Sequence, residues 1–210
     1  MNSRPQKFVF LLFLLPGLAL ASNLDSGKAL YDTCVACHGA NCEGNAQLLA
    51  PGLAGQSESY LTRQIWDFKN RRRGAAPDDT AGAQMLAMAD TLEDGSAVTN
   101  VATYLASPPA NEPPATISGN VENGQKQFTS KCGACHGGQG WGNEALFTPK
   151  LTVIGDSYII RQVENFQNGV RGVHQDAKYG KQMAMMAKVV SEQELNDIVA
   201  FLNEQSAEQQ

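Results

Sequence analysis

Charge is scarce in this chain, and positive charge is scarcer. Only 18% of the 210 residues are charged, and 16 basic residues face 21 acidic ones, for a formal charge of −5. A nucleic-acid binder presents a basic surface, so the composition excludes that class. A membrane-spanning run is also missing: the longest apolar stretch, Phe8 to Ala21, has 14 residues, against about 20 needed to cross a bilayer. No segment alternates apolar and polar residues as a half-buried strand does. With 42% hydrophobic residues, the chain is nonetheless too apolar for a disordered acidic tail. What remains is a folded, mildly acidic protein with three histidines, five cysteines and six methionines.

The first residues read as an address. Arg4 and Lys7 precede the apolar run, which ends in Pro16-Gly17 and the small-residue site Ala19-Leu20-Ala21. A basic flank, a short apolar core and an A-x-A exit are the pattern of a cleavable signal peptide, 1–21. No cysteine follows the site to accept a lipid. Cleavage leaves 189 residues with a formal charge of −7 and places them in the periplasm, where disulfides are permitted.

The remainder is one module written twice. Cys34-Val35-Ala36-Cys37-His38 returns 98 positions later as Cys132-Gly133-Ala134-Cys135-His136. The same offset carries Gly44-Asn45 onto Gly142-Asn143, Pro51 onto Pro149, Arg63-Gln64 onto Arg161-Gln162, and Gln84-Met85 onto Gln182-Met183. From Cys34 to Ala102, 26 of 69 ungapped pairs are identical, which marks a duplication. Between the copies, Ser107-Pro108-Pro109-Ala110-Asn111-Glu112-Pro113-Pro114 holds four of the nine prolines. Proline removes backbone donors and favours extended geometry, so this is a semi-rigid spacer. The expected layout is an N-terminal domain at 22–106, a linker at 107–117 and a C-terminal domain at 118–210, the two domains carrying −4 and −2.

Each half reads as helical. Leu195, Ile198, Val199 and Leu202 follow helical spacing behind a Ser191–Glu194 capping box. Val98, Val101, Ala102 and Leu105 mark the matching helix, blurred by Gly95. Tyr60, Leu61, Ile65 and Phe68 predict a middle helix, repeated as Tyr158, Ile159, Val163 and Phe166, and a short helix should precede each C-x-x-C-H. The fold class is two tandem all-α domains.

Halves of about 90 residues have thin cores of their own, and the cysteines suggest what fills them. C-x-x-C-H is the attachment signature of c-type haem: Cys34 and Cys37, and Cys132 and Cys135, form thioethers, while His38 and His136 ligate iron. A redox dithiol would need a βαβ context, and a shared zinc site would not explain a histidine directly after each pair. Met85 and Met183 each lie 51 residues beyond the first motif cysteine, as a His/Met iron requires. Met88 and Met186 repeat at the same offset, so duplication alone does not choose within each M-x-x-M pair. Met185 has no counterpart and is assigned to core packing. Cys42 is left over, a small, partly buried thiol without a partner. His174 belongs to a solvent-facing loop. Of Arg71-Arg72-Arg73, only Arg73 repeats, as Arg171, which makes that pair the better partners for haem propionates; the others read as a solvated run.

With these motifs the chain resembles the dihaem class I c-type cytochromes of the cytochrome c4 family over essentially its whole mature length. The likeness rests on the paired C-x-x-C-H-G motifs, on Pro51-Gly52-Leu53 and Pro149-Lys150-Leu151, and on methionines shortly before each last helix. It implies distal methionines seven residues before Leu92 and Val190, hence Met85 and Met183 as iron ligands. It also implies that the Pro51 and Pro149 carbonyls accept the ring N–H of His38 and His136. The function so implied is a periplasmic electron carrier with two covalent haem c groups, not an enzyme. It would be soluble or loosely membrane-associated, between a cytochrome bc1-type donor and a terminal oxidase. A second reading is the electron-accepting subunit of a dehydrogenase, resembling flavocytochrome c sulfide dehydrogenase. A dihaem peroxidase or thiosulfate dehydrogenase would need an unusually ligated haem, against which the duplicated methionines argue. N-terminal sequencing of the exported protein should begin at Ser22; an intact Met1 would show that the leader is retained.

Overall fold

The structure, a computed structural model, describes residues 17–207, with side chains from 23 to 206. Most of the expected leader therefore lies outside the described residues; α1, Gly17–Tyr31, runs across the expected cleavage position after Ala21. The N-terminal half continues with α2 (Val35–His38), α3 (Glu58–Lys69), α4 (Thr80–Asp90) and α5 (Gly95–Ala106). The C-terminal half repeats the order as α6 (Val121–Lys131), α7 (Gly133–His136), α8 (Asp156–Gln167), α9 (Lys178–Ala187) and α10 (Glu192–Ala207). Among the described residues there is no strand, only isolated bridges Asn45–Ala50 and Asn143–Thr148, again 98 apart.

Each module is built on a crossing of its first and last helices. Gly27 lies against Asn100 and Tyr104 of α5, and Gly124 against Asp197 and Phe201 of α10; a Cβ on either glycine would collide with a backbone carbonyl oxygen. The crossing brings Tyr31 to Tyr104 with ring centroids 5.5 Å apart, and Phe128 to Phe201 at 5.6 Å. α5 then buries Val98, Val101, Ala102 and Leu105, the stripe expected from spacing. Gly95 does not interrupt that helix but opens it, behind an Asp94 cap that accepts from Ala97 N–H at 2.8 Å. The capping box of α10 forms in both directions: Ser191 N–H donates to Glu194, and Glu194 N–H to Ser191 Oγ.

The structure refines the repeat. Residues 34–92 pair at an offset of 98, but the outer helices pair at 97: Gly27 with Gly124, Tyr31 with Phe128, the Asp94 cap with Ser191. One residue is gained before the second motif, where Cys132 N–H reaches back four residues to Phe128 and Cys34 N–H only three, to Tyr31. One is lost before the last helix. The methionine-bearing segments form helices, α4 and α9, that sequence spacing had not revealed. The proline-rich connection is pinned at both ends: Asn111 donates to the Asn41 carbonyl at 2.8 Å, and Asp156 accepts from Ile117 N–H at 3.0 Å and from Thr116.

Gly27→Ala or Gly124→Ala should force the paired helices apart and cost about 1–3 kcal/mol, measured as a lowered denaturation midpoint with an unchanged m-value.

Candidate haem sites

Each C-x-x-C-H lies on a single helical turn. His38 N–H donates to the Cys34 carbonyl at 2.9 Å and His136 N–H to Cys132 at 3.0 Å, so the first cysteine and the histidine stack one turn apart. Cys34 and Cys132 rest against the two cores, while Cys37 and Cys135 are exposed. The chain then folds back: Gly44 N–H returns to the His38 carbonyl at 2.9 Å and Gly142 N–H to His136 at 2.8 Å. Gly44 has φ +86° and lies against Pro51 and Gly52, so no side chain fits there.

That loop places a proline carbonyl against each imidazole. His38 Nδ1 is 3.0 Å from the Pro51 carbonyl oxygen, and His136 Nδ1 is 3.4 Å from that of Pro149. A carbonyl can only accept, so Nδ1 carries the proton and the Nε2 lone pair is left for a metal. Burial pushes both imidazoles below their ordinary pKa, outweighing the proline contact that acts the other way, and so keeps them neutral and able to ligate. Burial also raises the Cys34 thiol and takes Cys132 up to about 11, the reverse of the depressed thiol a redox dithiol needs.

Opposite the histidine in the first half stands α4. Cys34, Cys37, His38 and Met85 all line one mainly apolar cavity, which Met88 also reaches. Met85 packs against the N-terminal core and Met183 against the C-terminal one. Met186 is 43% exposed, and Met185, expected to pack, is 66% exposed on the outer side of α9. The correction is simple: at helical spacing, a residue two after an inward Met183 must point away from the core. Cys42 is more deeply buried than expected, at 1% exposure with φ +60°. His174 is half-exposed in the loop before α9 and accepts from Asp176 N–H at 3.1 Å.

Arg73 and Arg171, expected as propionate partners, and the repeated Arg63-Gln64 and Arg161-Gln162, for which the sequence offered no role, join the modules. Arg73 donates to Gln64 of its own half at 2.7 Å and to Gln162 of the other at 3.1 Å; Arg171 donates to Gln162 at 2.7 Å and to Gln64 at 2.8 Å. Arg63 reaches the Phe147 carbonyl and Arg161 the Leu49 carbonyl, each at 2.6 Å. All these residues correspond at the 98 offset, so the contact is pseudo-two-fold. Their only sequence signal was repetition of a polar pair without an apolar period. Gln56, unmatched in the other half, completes the contact by donating to the Lys150 carbonyl and accepting its N–H, both at 2.9 Å.

This interface is short of negative charge. Among the described residues neither Arg73 nor Arg171 makes an ion pair, and the buried Nε atoms of Arg63, Arg73 and Arg161 have no hydrogen-bond partner. Burial alone would raise the Tyr158 phenol, yet Arg73, Arg171 and Arg161 hold it below its ordinary pKa. Arg71 and Arg72, expected as a solvated run, stay at the surface and pair there with Asp90 and Asp67. An apolar cavity with two thiols, a histidine lone pair and a thioether, and with cationic donors left open at its edge, fits a haem carrying two carboxylates.

The comparisons agree. The family model described as "Cytochrome c" matches twice, at residues 24–108 and 121–206. A cytochrome c4 from Pseudomonas aeruginosa is 28% identical over 197 residues, 90% of this chain and 92% of the relative. The crystal structure of reduced recombinant cytochrome c4 from Pseudomonas stutzeri superposes with TM-score 0.67 and 25% identity, covering 86% of this chain and 97% of that one. A thiosulfate dehydrogenase from Marichromatium purpuratum shares the fold at TM-score 0.67 and 23% identity, over 86% of this chain and 40% of that one. Two such domains in one chain define a dihaem c-type cytochrome, an electron-transfer protein with two covalently bound haem c groups. The chain belongs to the cytochrome c family, as a member of its dihaem cytochrome c4 type.

Gln56→Ala removes two hydrogen bonds from this contact, worth about 1–3 kcal/mol together; differential scanning calorimetry should resolve one cooperative transition into two while secondary structure is retained.

Proposed function

We propose that this protein shuttles single electrons between periplasmic respiratory partners. In this reading Cys34 and Cys37, and Cys132 and Cys135, tether the two haems, His38 and His136 bind iron from one face, and Met85 and Met183 bind it from the other. The observation that carries the proposal is the lining of one cavity by Cys34, Cys37, His38 and Met85, with the Pro51 carbonyl presenting the histidine lone pair.

When bound, haem supplies a reversible one-electron iron couple. The chain tunes it. A neutral histidine held by a carbonyl is a fixed, electron-rich ligand. A methionine thioether opposite favours the reduced metal and raises the potential. The apolar lining disfavours the extra charge of the oxidised state, in the same direction. Arg73, which lines the cavity beside Tyr158, and Arg171 next to it are the cationic groups that would receive haem propionates. Because those side chains are already fixed by Gln64 and Gln162, little rearrangement accompanies each transfer.

If a histidine and a methionine both hold each iron, substrate has no ligand position to take, which favours a carrier over a peroxidase or a thiosulfate-oxidising enzyme. The neighbour named for the latter chemistry matches this chain over 40% of its length, so its likeness is one of fold. A cytochrome bc1-type donor and a terminal oxidase are the partners this role calls for, with a dehydrogenase subunit as the second possibility.

Met183→His should lower the potential of one haem by about 0.1 V or more and abolish its sulfur-to-iron absorption, whereas Met186→Leu should leave both unchanged. The measurement is a spectroscopically monitored redox titration, and an unaltered spectrum in Met183→His would remove Met183 from the iron.

A further inference from the structure

Each methionine-bearing helix ends in the same turn and is held there by a donor from the helix before it. After α4, Leu92 N–H donates to the Ala89 carbonyl at 3.2 Å; after α9, Val190 N–H donates to the Ala187 carbonyl at 3.2 Å. Lys69 Nζ bridges two carbonyls of the first turn, Ala89 at 3.2 Å and Leu92 at 2.6 Å. Gln167 Nε2 does the same in the second, reaching Ala187 at 2.9 Å and Val190 at 2.8 Å. All six residues correspond at the offset of 98, and the carbonyls lie four and seven residues beyond Met85 and Met183.

The donors differ while the bridge is kept. Lysine carries a charge and glutamine does not, so charge is not what the two modules share. Lys69 also lies 5.9 Å over the Trp66 ring, but Glu164 stands at that position in the second module. What is common is a long side chain with at least two N–H donors, the chemistry needed to serve two carbonyls at once. Both come from the last residue of a well-packed helix: α3 buries Leu61, Ile65 and Phe68, and α8 buries Ile159, Val163 and Phe166. The acceptors depend on them. The final carbonyls of a helix have no intrahelical partner, and Ala89 and Ala187 are completely buried from solvent. Helices of 11 and 10 residues also have little stability of their own.

We infer that Lys69 and Gln167 are positioning residues for the axial methionines, latches that fix the far ends of α4 and α9 and so oppose withdrawal of Met85 and Met183 from iron. The inference rests on the functional reading above, in which those methionines are ligands. Met85 and Met183 pack against the module cores, so a competing ligand gains room when the methionine's helix swings outward, and that motion parts the carbonyls from their donor. The latch thereby lowers the population of the methionine-off state, and with it the apparent affinity of any competitor. Without the donor, the carbonyls already lack a partner while methionine is bound, and opening costs less.

The test titrates the oxidised, haem-loaded protein with imidazole and follows loss of the sulfur-to-iron band. The imidazole nitrogen donates its lone pair to iron as the thioether leaves, with no change of oxidation state. Gln167→Glu, an isosteric change that turns the donor into an acceptor, should tighten imidazole binding about tenfold or more at one haem and leave the other within about twofold. Lys69→Met should do the same at the other haem. Lys69→Gln and Gln167→Lys, which give each module the other's donor, should stay close to the unsubstituted protein. Where Gln167→Glu fails to load haem, Gln167→Asn, whose amide falls one methylene short, should show a severalfold shift in the same direction. Gly27→Ala controls for general loosening, because its clash falls at the α1–α5 crossing, and should change imidazole binding little. Unchanged affinity in Gln167→Glu and Lys69→Met, an equal rise in the exchanged-donor variants, or a comparable rise in Gly27→Ala would each overturn the latch. If the unsubstituted protein shows no sulfur-to-iron band, Met85 and Met183 are not ligands and the inference falls with them; a band that is present but insensitive to these variants overturns the latch alone.

Discussion

Each module is organised around a hydrogen bond between a motif histidine and a proline carbonyl thirteen residues further on. Its demands explain much of the surrounding chain. Bringing the proline back over the imidazole requires a tight return after C-x-x-C-H, and that return requires glycine with positive φ at 44 and 142. The returning loop closes through the bridges Asn45–Ala50 and Asn143–Thr148. The same bond decides which ring nitrogen holds the proton, and so which one can bind metal. A structural turn thereby becomes an electronic setting, because tautomer and ring orientation are both selected by one backbone oxygen.

Duplication gives the protein its second constraint. Two copies of one face can meet around a pseudo-two-fold axis only if each residue satisfies its counterpart, and Arg73, Gln64, Arg171 and Gln162 do so reciprocally. Glutamine is a fitting partner here: its carbonyl oxygen accepts from both guanidinium groups without neutralising either. The interface therefore retains positive charge at the cavity edge for an anionic group. The proline-rich connection contributes by being anchored at Asn41 and Asp156 rather than by acting as a free tether.

Divergence followed where the symmetry makes no demand. The interface, the histidine loops and the inward methionines match, while α4 and α9 differ in most outward residues. Cys42 shows the same freedom inside a core: Gly140 takes its place in the other half, with Leu202 filling the space a side chain would need. The result is a common interior and two distinct exteriors.

Attachment motifs, duplication and the stripes of α3, α5, α8 and α10 are legible in the sequence because their signals are local: fixed spacing of reactive residues and apolar residues at helical period. The M-x-x-M pairs are local too, but either member satisfies the pattern, and only packing turns Met183 inward and leaves Met186 and Met185 exposed. The helical state of α4 and α9 escaped notice because Gly82, Gly180 and outward alanines and lysines blur the period. The 97-residue register of the last helices is present in their apolar stripes, Val98 with Leu195 and Leu105 with Leu202, but an ungapped comparison at 98 passes over it, since it cannot register one residue gained and another lost. By itself the sequence determined the chemistry, because thiol, imidazole and thioether are properties of residues at set distances along a chain. The tertiary structure decided how the two modules face one another and which surface each leaves to solvent, because those depend on contacts between residues far apart in the chain, 94 positions for Gln56 with Lys150 and 107 for Arg171 with Gln64.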